Sequence, residues 1–328
     1  MEHALAHKIP SVSRASHYHS STSDIMPTIK TVALLGADGK LGPTVLTELS
    51  AHFQVTVLKR ESSKSSDAYP SQGAPIKVTR IPDGFSLDDL TKALRGQDAI
   101  VVTVPGSELD LQKRLADAAV VAGVKHFIPA DFGSCDSASK RACELVPLYG
   151  EKSSVREYLT NLANEHPGFA WTSIVCAHFF DWSWEFLHVY MKERRVDILD
   201  DGETRWSAST LQQVARSVVA VLQKADRQEI RNKMVYVQSF CITQNQIVQA
   251  LERVSGQKWE VKKFDSDEFV KEHVKKRDEG DKSAINELVW WLGVFEANWE
   301  GKKDFVNKLL ELPDEDLDEV LKVHVTSK

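Results

Sequence analysis

Between residues 29 and 175, short apolar runs alternate with stretches of helical periodicity, and no other pattern in this chain restricts its fold so strongly. Ile29 to Leu35 is a β-branched run that stops abruptly at Gly36. Phe53 to Leu58, Ile76 to Ile81, Ala99 to Val104, Val124 to Ile128 and Phe169 to Val175 read as further strands. Between them, Leu41 to Ser50 is helical, with Pro43 in the first turn, where proline is tolerated. Ser86 and Asp89 resemble a capping box opening a second helix. Leu109 to Val121 and Lys152 to Glu165 carry apolar residues at helical spacing. Near-continuous apolar strands joined by helices predict an α/β fold, a doubly wound parallel sheet with both faces covered.

Beyond about Met191 the pattern changes. Val196 to Leu199 and Met234 to Val237 read as short strands. Leu211 to Leu222, Gln244 to Val254, Ser266 to Val274, Ala284 to Asn298 and Glu315 to Val323 read as helices. Three parts follow: a doubly wound domain at 29–190, a smaller helix-rich part at 191–328 partly interleaved with the sheet, expected to cap it, and an extension at 1–28. The extension is serine-rich, carries His3, His7, His17 and His19, and has no apolar periodicity, so it is expected to be disordered. A net charge of -6 gives no basic footprint for nucleic acid. No apolar run reaches the ~18 residues of a spanning helix. The four cysteines form no CxxC pair, which argues against a disulfide framework or a metal site. A cytoplasmic protein with no membrane partner is expected.

In sheets of this kind ligands bind beyond the carboxyl ends of the strands. Gly36–Gly42, Lys59–Lys64, Pro105–Glu108, Ala130–Ser134 and Cys176–Asp181 are therefore the candidate loops. The first reads Gly36-Ala37-Asp38-Gly39-Lys40-Leu41-Gly42, a GxxGxxG pattern at a strand-to-helix turn. Its glycines permit the turn, the approach of backbone N–H groups to a pyrophosphate, and close helix–strand packing, as in a Rossmann-type site. Arg60 lies 24 positions after Gly36, where a guanidinium forks onto a 2′-phosphate, with Ser62 and Ser63 as further donors. Glu61 is the competing, NAD-type residue one place on. Arg60 favours NADPH.

The order of these motifs, with Phe127-Ile128-Pro129-Ala130-Asp131-Phe132-Gly133, Lys152-x-x-Val155-Arg156-x-x-Leu159 and Phe179-Phe180-Asp181-Trp182, resembles the NmrA-like, isoflavone-reductase-like branch of the atypical short-chain dehydrogenases. The resemblance runs from about Lys30 to about Lys262 and has the flavour of fungal secondary-metabolism members. It implies that the Phe132–Gly133 loop lines the nicotinamide end and that Lys152 takes the catalytic position, while Pro105, in the candidate loop after the fourth strand, is a further expected cofactor contact. Asp131 stands where the family more often has Glu. His178 stands where it more often has a small residue, which would narrow the pocket.

Lys152 also stands out physically. Val155 and Leu159 share its helical face, and a lysine facing inward needs a reason. Tyr-x-x-x-Lys is absent, because Leu148 is four residues before Lys152 and Tyr149 only three. With the helix expected to begin near Gly150, Tyr149 should point elsewhere. Phe132, His178, Phe179, Phe180 and Trp182 form the expected pocket for a flat substrate, with Trp184 and Trp206 nearby. Asp181 is expected to tie down its loop, and His126 and His188 to pack. The reading is an NADPH-dependent reductase of a carbonyl, imine or conjugated double bond. Its rival from the same resemblance is a dinucleotide-binding redox sensor acting through a protein partner, which would need no inward lysine.

Overall fold

In the computed structural model, which describes residues 28–326, the alternation becomes a seven-stranded parallel sheet. The expected extension lies almost entirely outside the described residues. The chain runs β1 (Thr31–Leu35), α1 (Gly42–His52), β2 (Gln54–Arg60), β3 (Lys77–Ile81), α2 (Leu87–Leu94), β4 (Ala99–Val102) and α3 (Leu109–Ala122). It continues β5 (His126–Ile128), α4 (Lys140–Leu145), α5 (Leu148–Glu165) and β6 (Ala170–Val175). Then come β7 (His178–Phe179), β8 (Val189–Tyr190), β9 (Arg195–Leu199), β10 (Trp206–Ser209), α6 (Leu211–Gln223) and β11 (Lys233–Tyr236). Last are β12 (Phe240–Ile242), α7 (Gln244–Ser255), β13 (Glu260–Phe264), α8 (Ser266–Asp278), α9 (Ala284–Phe295) and α10 (Leu317–Thr326).

The main sheet has the order β11-β6-β5-β4-β1-β2-β3. Val32 pairs with Val55 on one side and Ala99 on the other, so the strand order reverses at β1. A crevice opens there at the carboxyl edge. Val32 to Leu35 and Ala99 to Val102 are all buried, because α1 and α6 cover one face and α2, α3 and α5 the other. Two local signals act as read. Ser86 Oγ accepts from Asp89 N–H and donates to its carboxylate at the start of α2. Gly123, at φ +80°, ends α3 in the left-handed region.

The second lobe holds two three-stranded sheets, β12-β10-β7 and β13-β9-β8, with α7 to α10 around a core of Trp206, Leu288 and Trp290. Five of its strands (β7, β8, β10, β12, β13) are not among the expected elements. The segment 211–237 returns to the first lobe, where α6 packs on α1 and β11 extends the main sheet beside β6. Several expected boundaries move, among them four helix ends: α5 starts one turn before Lys152, α8 runs on to Asp278 rather than Val274, α9 ends at Phe295 rather than Asn298, and α10 starts at Leu317.

Candidate active site

The glycine loop closes on itself so tightly that side chains are excluded. A Cβ on Gly42 would lie 2.1 Å from the Gly36 carbonyl oxygen, and one on Gly36 2.7 Å from Thr103 at the end of β4. Gly36 itself has φ +102°, and its carbonyl accepts from Gly39 N–H at 3.1 Å. Leu41, buried, leads into α1, whose first turn has no acidic residue and no side-chain cap. Its N–H groups and positive dipole end therefore face the loop, as an anion site requires.

Beside the loop lies a cavity of about 430 Å³, lined by Gly36, Asp38 and Gly39, by Arg60 at the end of β2, and by Thr103 and Pro105 after β4. Its shape, glycine cradle and cationic flank fit a dinucleotide. Glu61 is not on this wall; its N–H continues the ladder to Ile81. Ser62 is off the groove as well, a departure from expectation, since its N–H donates to Asp83 and Ser63 and Ser65 line the wall instead. Lys40 also turns away and lines a second cavity. Lys59 was not singled out by the sequence. Its side chain is 4% exposed, and its ammonium donates to the carbonyls of Ser65 and Ser66.

Lys152 reaches from α5 to the Asp131–Gly133 loop, donating from Nζ to the Asp131 carbonyl at 2.9 Å. A Cβ on Gly106 would lie 2.5 Å from its Cε, so the lysine also abuts the turn after β4. Its acceptor is held by a buried charge cluster. The Asp131 carboxylate accepts from Arg156 Nε at 2.7 Å and from Ser173 Oγ at 2.5 Å, and Arg156 also donates to Asp136 at 2.9 Å. The two carboxylates keep the Arg156 guanidinium charged despite burial, which pulls the other way. Phe132, next in the loop, takes φ +36°, a backbone region that a bulky side chain rarely adopts.

Tyr149 corrects the sequence reading. Because α5 starts at Leu148, Tyr149 and Lys152 are three apart on one face. The Lys152 ammonium lies 5.9 Å from the Tyr149 ring centroid, and the phenol shares a 2.5 Å hydrogen bond with Ser134 Oγ. Burial holds the phenol pKa well above its usual value, so the group keeps its proton.

The expected aromatic pocket is only partly assembled. Trp182, 40% exposed, lines a cavity of about 550 Å³ with Trp184, Phe186, His188, Glu287 and Lys40 of the glycine loop. Phe179 stands edge-on to Trp182 at 6.2 Å, and both Phe179 and Phe132 pack on the core that contains Leu41. Phe180 is fully buried between Trp184 and Phe240, and so is core rather than pocket. His178 is buried too, donating from Nε2 to the Trp290 carbonyl at 3.2 Å. It fills the space over Gly293 instead of narrowing a pocket. Alternation along β7 explains both corrections: His178 and Phe180 share the inner side, Phe179 the other.

Asp181 accepts from Leu211 N–H at 2.8 Å and so anchors its loop. His126 is buried against Thr172, and His188 stacks on Trp290 at 3.7 Å while bonding Glu287. Trp206, Trp290 and Trp299 are buried packing residues. Among the described residues there is no cluster able to hold a metal, and no helix long and apolar enough to cross a membrane.

A doubly wound α/β lobe with a glycine-lined groove at its topological switch, and a lysine beside it, defines a nucleotide-binding class of protein. Within that class the chain belongs to the NmrA-like family, which matches residues 28–318. It is 32% identical to oxidoreductase aprR of Aspergillus flavus, over 90% of this chain and 98% of that one. It is 30% identical to oxidoreductase poxI of Penicillium oxalicum, over 77% and 79%. The fold is shared with the leucoanthocyanidin reductase–NADPH complex of Vitis vinifera, at a TM-score of 0.70 and 18% identity over 90% and 100% of the chains. It is likewise shared with AtPrR2 bound to NADP+ and (+)pinoresinol, at 0.69 and 18% over 90% and 98%.

Proposed function

We propose that this protein is an NADPH-dependent oxidoreductase that reduces a carbonyl, imine or conjugated double bond of a small, flat organic molecule of the secondary-metabolite type. The observation that carries the reading is Lys152, an ammonium held on the Asp131 carbonyl and against Gly106, the residue after Pro105 of the groove wall. The naming of the two fungal relatives as oxidoreductases supports it. When bound, the cofactor supplies hydride. Gly36, Gly39 and the N-terminus of α1 would hold its pyrophosphate, and Leu41 and Gly42 set the approach of that helix. Arg60 with Ser63 would hold the 2′-phosphate, and Pro105 and Phe132 would flank the nicotinamide end. Lys152 holds a proton at Nζ for the substrate atom on which negative charge develops. Trp182, Trp184 and Phe186 offer a flat substrate an aromatic wall. Residues 29–175, with the returning segment 211–237, form the cofactor lobe; β7 to β10, β12, β13 and α7 to α10 form the cap, which therefore begins before the expected boundary at 190.

The test has two stages. Fluorescence titration should show NADPH binding more tightly than NADH. Arg60→Ala should weaken NADPH by about 1.5–3 kcal/mol, the worth of a charge-assisted contact, with NADH little changed. NADPH oxidation is then screened across ketones, imines and enones. Equal affinity for the two dinucleotides overturns the cofactor assignment. Tight NADPH binding without turnover across all three classes overturns the enzyme reading in favour of a sensor.

A further inference from the structure

Asp38, the third residue of the glycine loop, has a side chain that is 41% exposed, yet its carboxylate is turned onto the wall after β2. Its carboxylate accepts from Ser65 Oγ at 2.6 Å and from Tyr69 OH at 2.8 Å, and lies 3.4 Å from Lys59 Nζ. All three partners belong to the end of β2 and the loop after it, the wall on which Arg60 and Ser63 stand. The Lys59 ammonium is buried and needs an anion. Its other carboxylate, Asp67 at 3.3 Å, is already gripped by the fork of Arg80, at 2.8 and 3.1 Å. Asp38 is thus the counter-ion not claimed by Arg80, and it sits inside the groove with two of its partners, Lys59 and Ser65. Strong donors gathered on a carboxylate are the donors a phosphate would use.

We propose that Asp38 is an internal competitor for the cofactor's 2′-phosphate, occupying Ser65, Tyr69 and Lys59 until a phosphate takes them over. Asp38 thereby sets how far the protein prefers a 2′-phosphorylated nucleotide over a 2′-hydroxyl one. The inference rests on the dinucleotide reading of the groove. A phosphate dianion must displace the carboxylate and then endure its charge at short range. A ribose 2′-hydroxyl meets no such penalty, because it can donate to the same carboxylate. One residue therefore opposes NADPH and tolerates NADH, while Arg60 does the reverse. Asp38→Asn removes the charge and keeps the shape and one acceptor oxygen.

The test uses the full chain and two probes that need no substrate, adenosine 2′,5′-bisphosphate and 5′-AMP, titrated calorimetrically. Asp38→Asn should bind the bisphosphate about three- to tenfold tighter at low salt, less so at high salt, with 5′-AMP unchanged or weaker. Tyr69→Phe, which cuts one bond to Asp38 without removing its charge, should not tighten the bisphosphate. If Asp38 merely latched the loop, both variants would shift both probes alike, and that result overturns the proposal. So does an unchanged or weakened bisphosphate affinity in Asp38→Asn. A parent protein that binds neither probe overturns the dinucleotide reading, and this inference falls with it. A parent that binds the bisphosphate, with Asp38→Asn no tighter, overturns this inference alone.

Discussion

Lys152 is the residue on which an enzymatic role turns, and its surroundings set what its removal should do. A donor that acts mainly as charge develops affects turnover more than affinity. Lys152→Ala should lower kcat about 10²- to 10⁴-fold, with NADPH affinity and thermal stability little changed. Lys152→Arg should not restore it, because a guanidinium is bulkier and does not release its proton. Single-turnover hydride transfer at saturating NADPH decides; a rate within threefold of the parent assigns the proton to another group, with Tyr149 the adjacent candidate. Lys152 was legible because Val155 and Leu159 fix its face by periodicity alone. Tyr149 was not, because its direction hangs on whether the helix starts at Leu148 or one turn later, and helix starts are set by tertiary contacts. Lys59 was illegible for another reason. It sits in a strand that reads as apolar, and the loop carbonyls and the carboxylates of Asp67 and Asp38 that surround it are brought together only by the fold.

At the scale of elements, the packing of α9 on β7 offers a direct check. Gly293 lies where a Cβ would fall 1.7 Å from His178 Nε2, so helix and imidazole fit only because one of them lacks a side chain. Gly293→Ala should destabilise by about 1–3 kcal/mol, although alanine is the better helix former. His178→Ala leaves a void, which the alanine methyl partly fills in the double variant. Urea unfolding of the four proteins should give a coupling energy of about 1–3 kcal/mol, with the double variant more stable than the sum of the singles. Additive losses would show that the contact relaxes freely. The same contact explains what the sequence hid. The main sheet was readable because buried parallel strands are long apolar runs with helices between them. The cap's strands are two to five residues long. Several are recognisable only through their pairing, as with His178–Phe179 against Ala208–Ser209. Burial in the cap was correspondingly misassigned at His178 and Phe180, where a one-residue alternation separates core from pocket.

For the whole molecule, two buried histidines set the response to acid. His126 Nε2 donates to Thr172 Oγ1 at 3.0 Å, because that hydroxyl spends its own proton on the Ile230 carbonyl at 2.8 Å. The opposite ring nitrogen, Nδ1, is buried with no hydrogen-bond partner among the described residues. Protonation would place a charge and an unmatched N–H there, and burial, reinforced by Arg231, lowers the pKa to about 3. Burial likewise lowers His178 to about 4, partly opposed by its bond to Trp290. Both values lie below the ~6.5 of an unfolded histidine, so the unfolded chain binds more protons between the two limits. The stability these groups confer is fully present above about pH 6.5 and is lost as pH falls towards 4 and 3. At pH 5 each histidine should have cost about 2 kcal/mol, or roughly 4 together, since one pH unit is worth about 1.4 kcal/mol per proton. Urea unfolding at pH 7.5 and pH 5 measures the loss. His126→Asn and His178→Gln keep a side-chain donor but cannot titrate. Whatever their stability at pH 7.5, each should reduce the drop between the two pH values by about 2 kcal/mol. A doubly substituted protein that still loses as much stability as the parent would assign the acid response to the carboxylates instead.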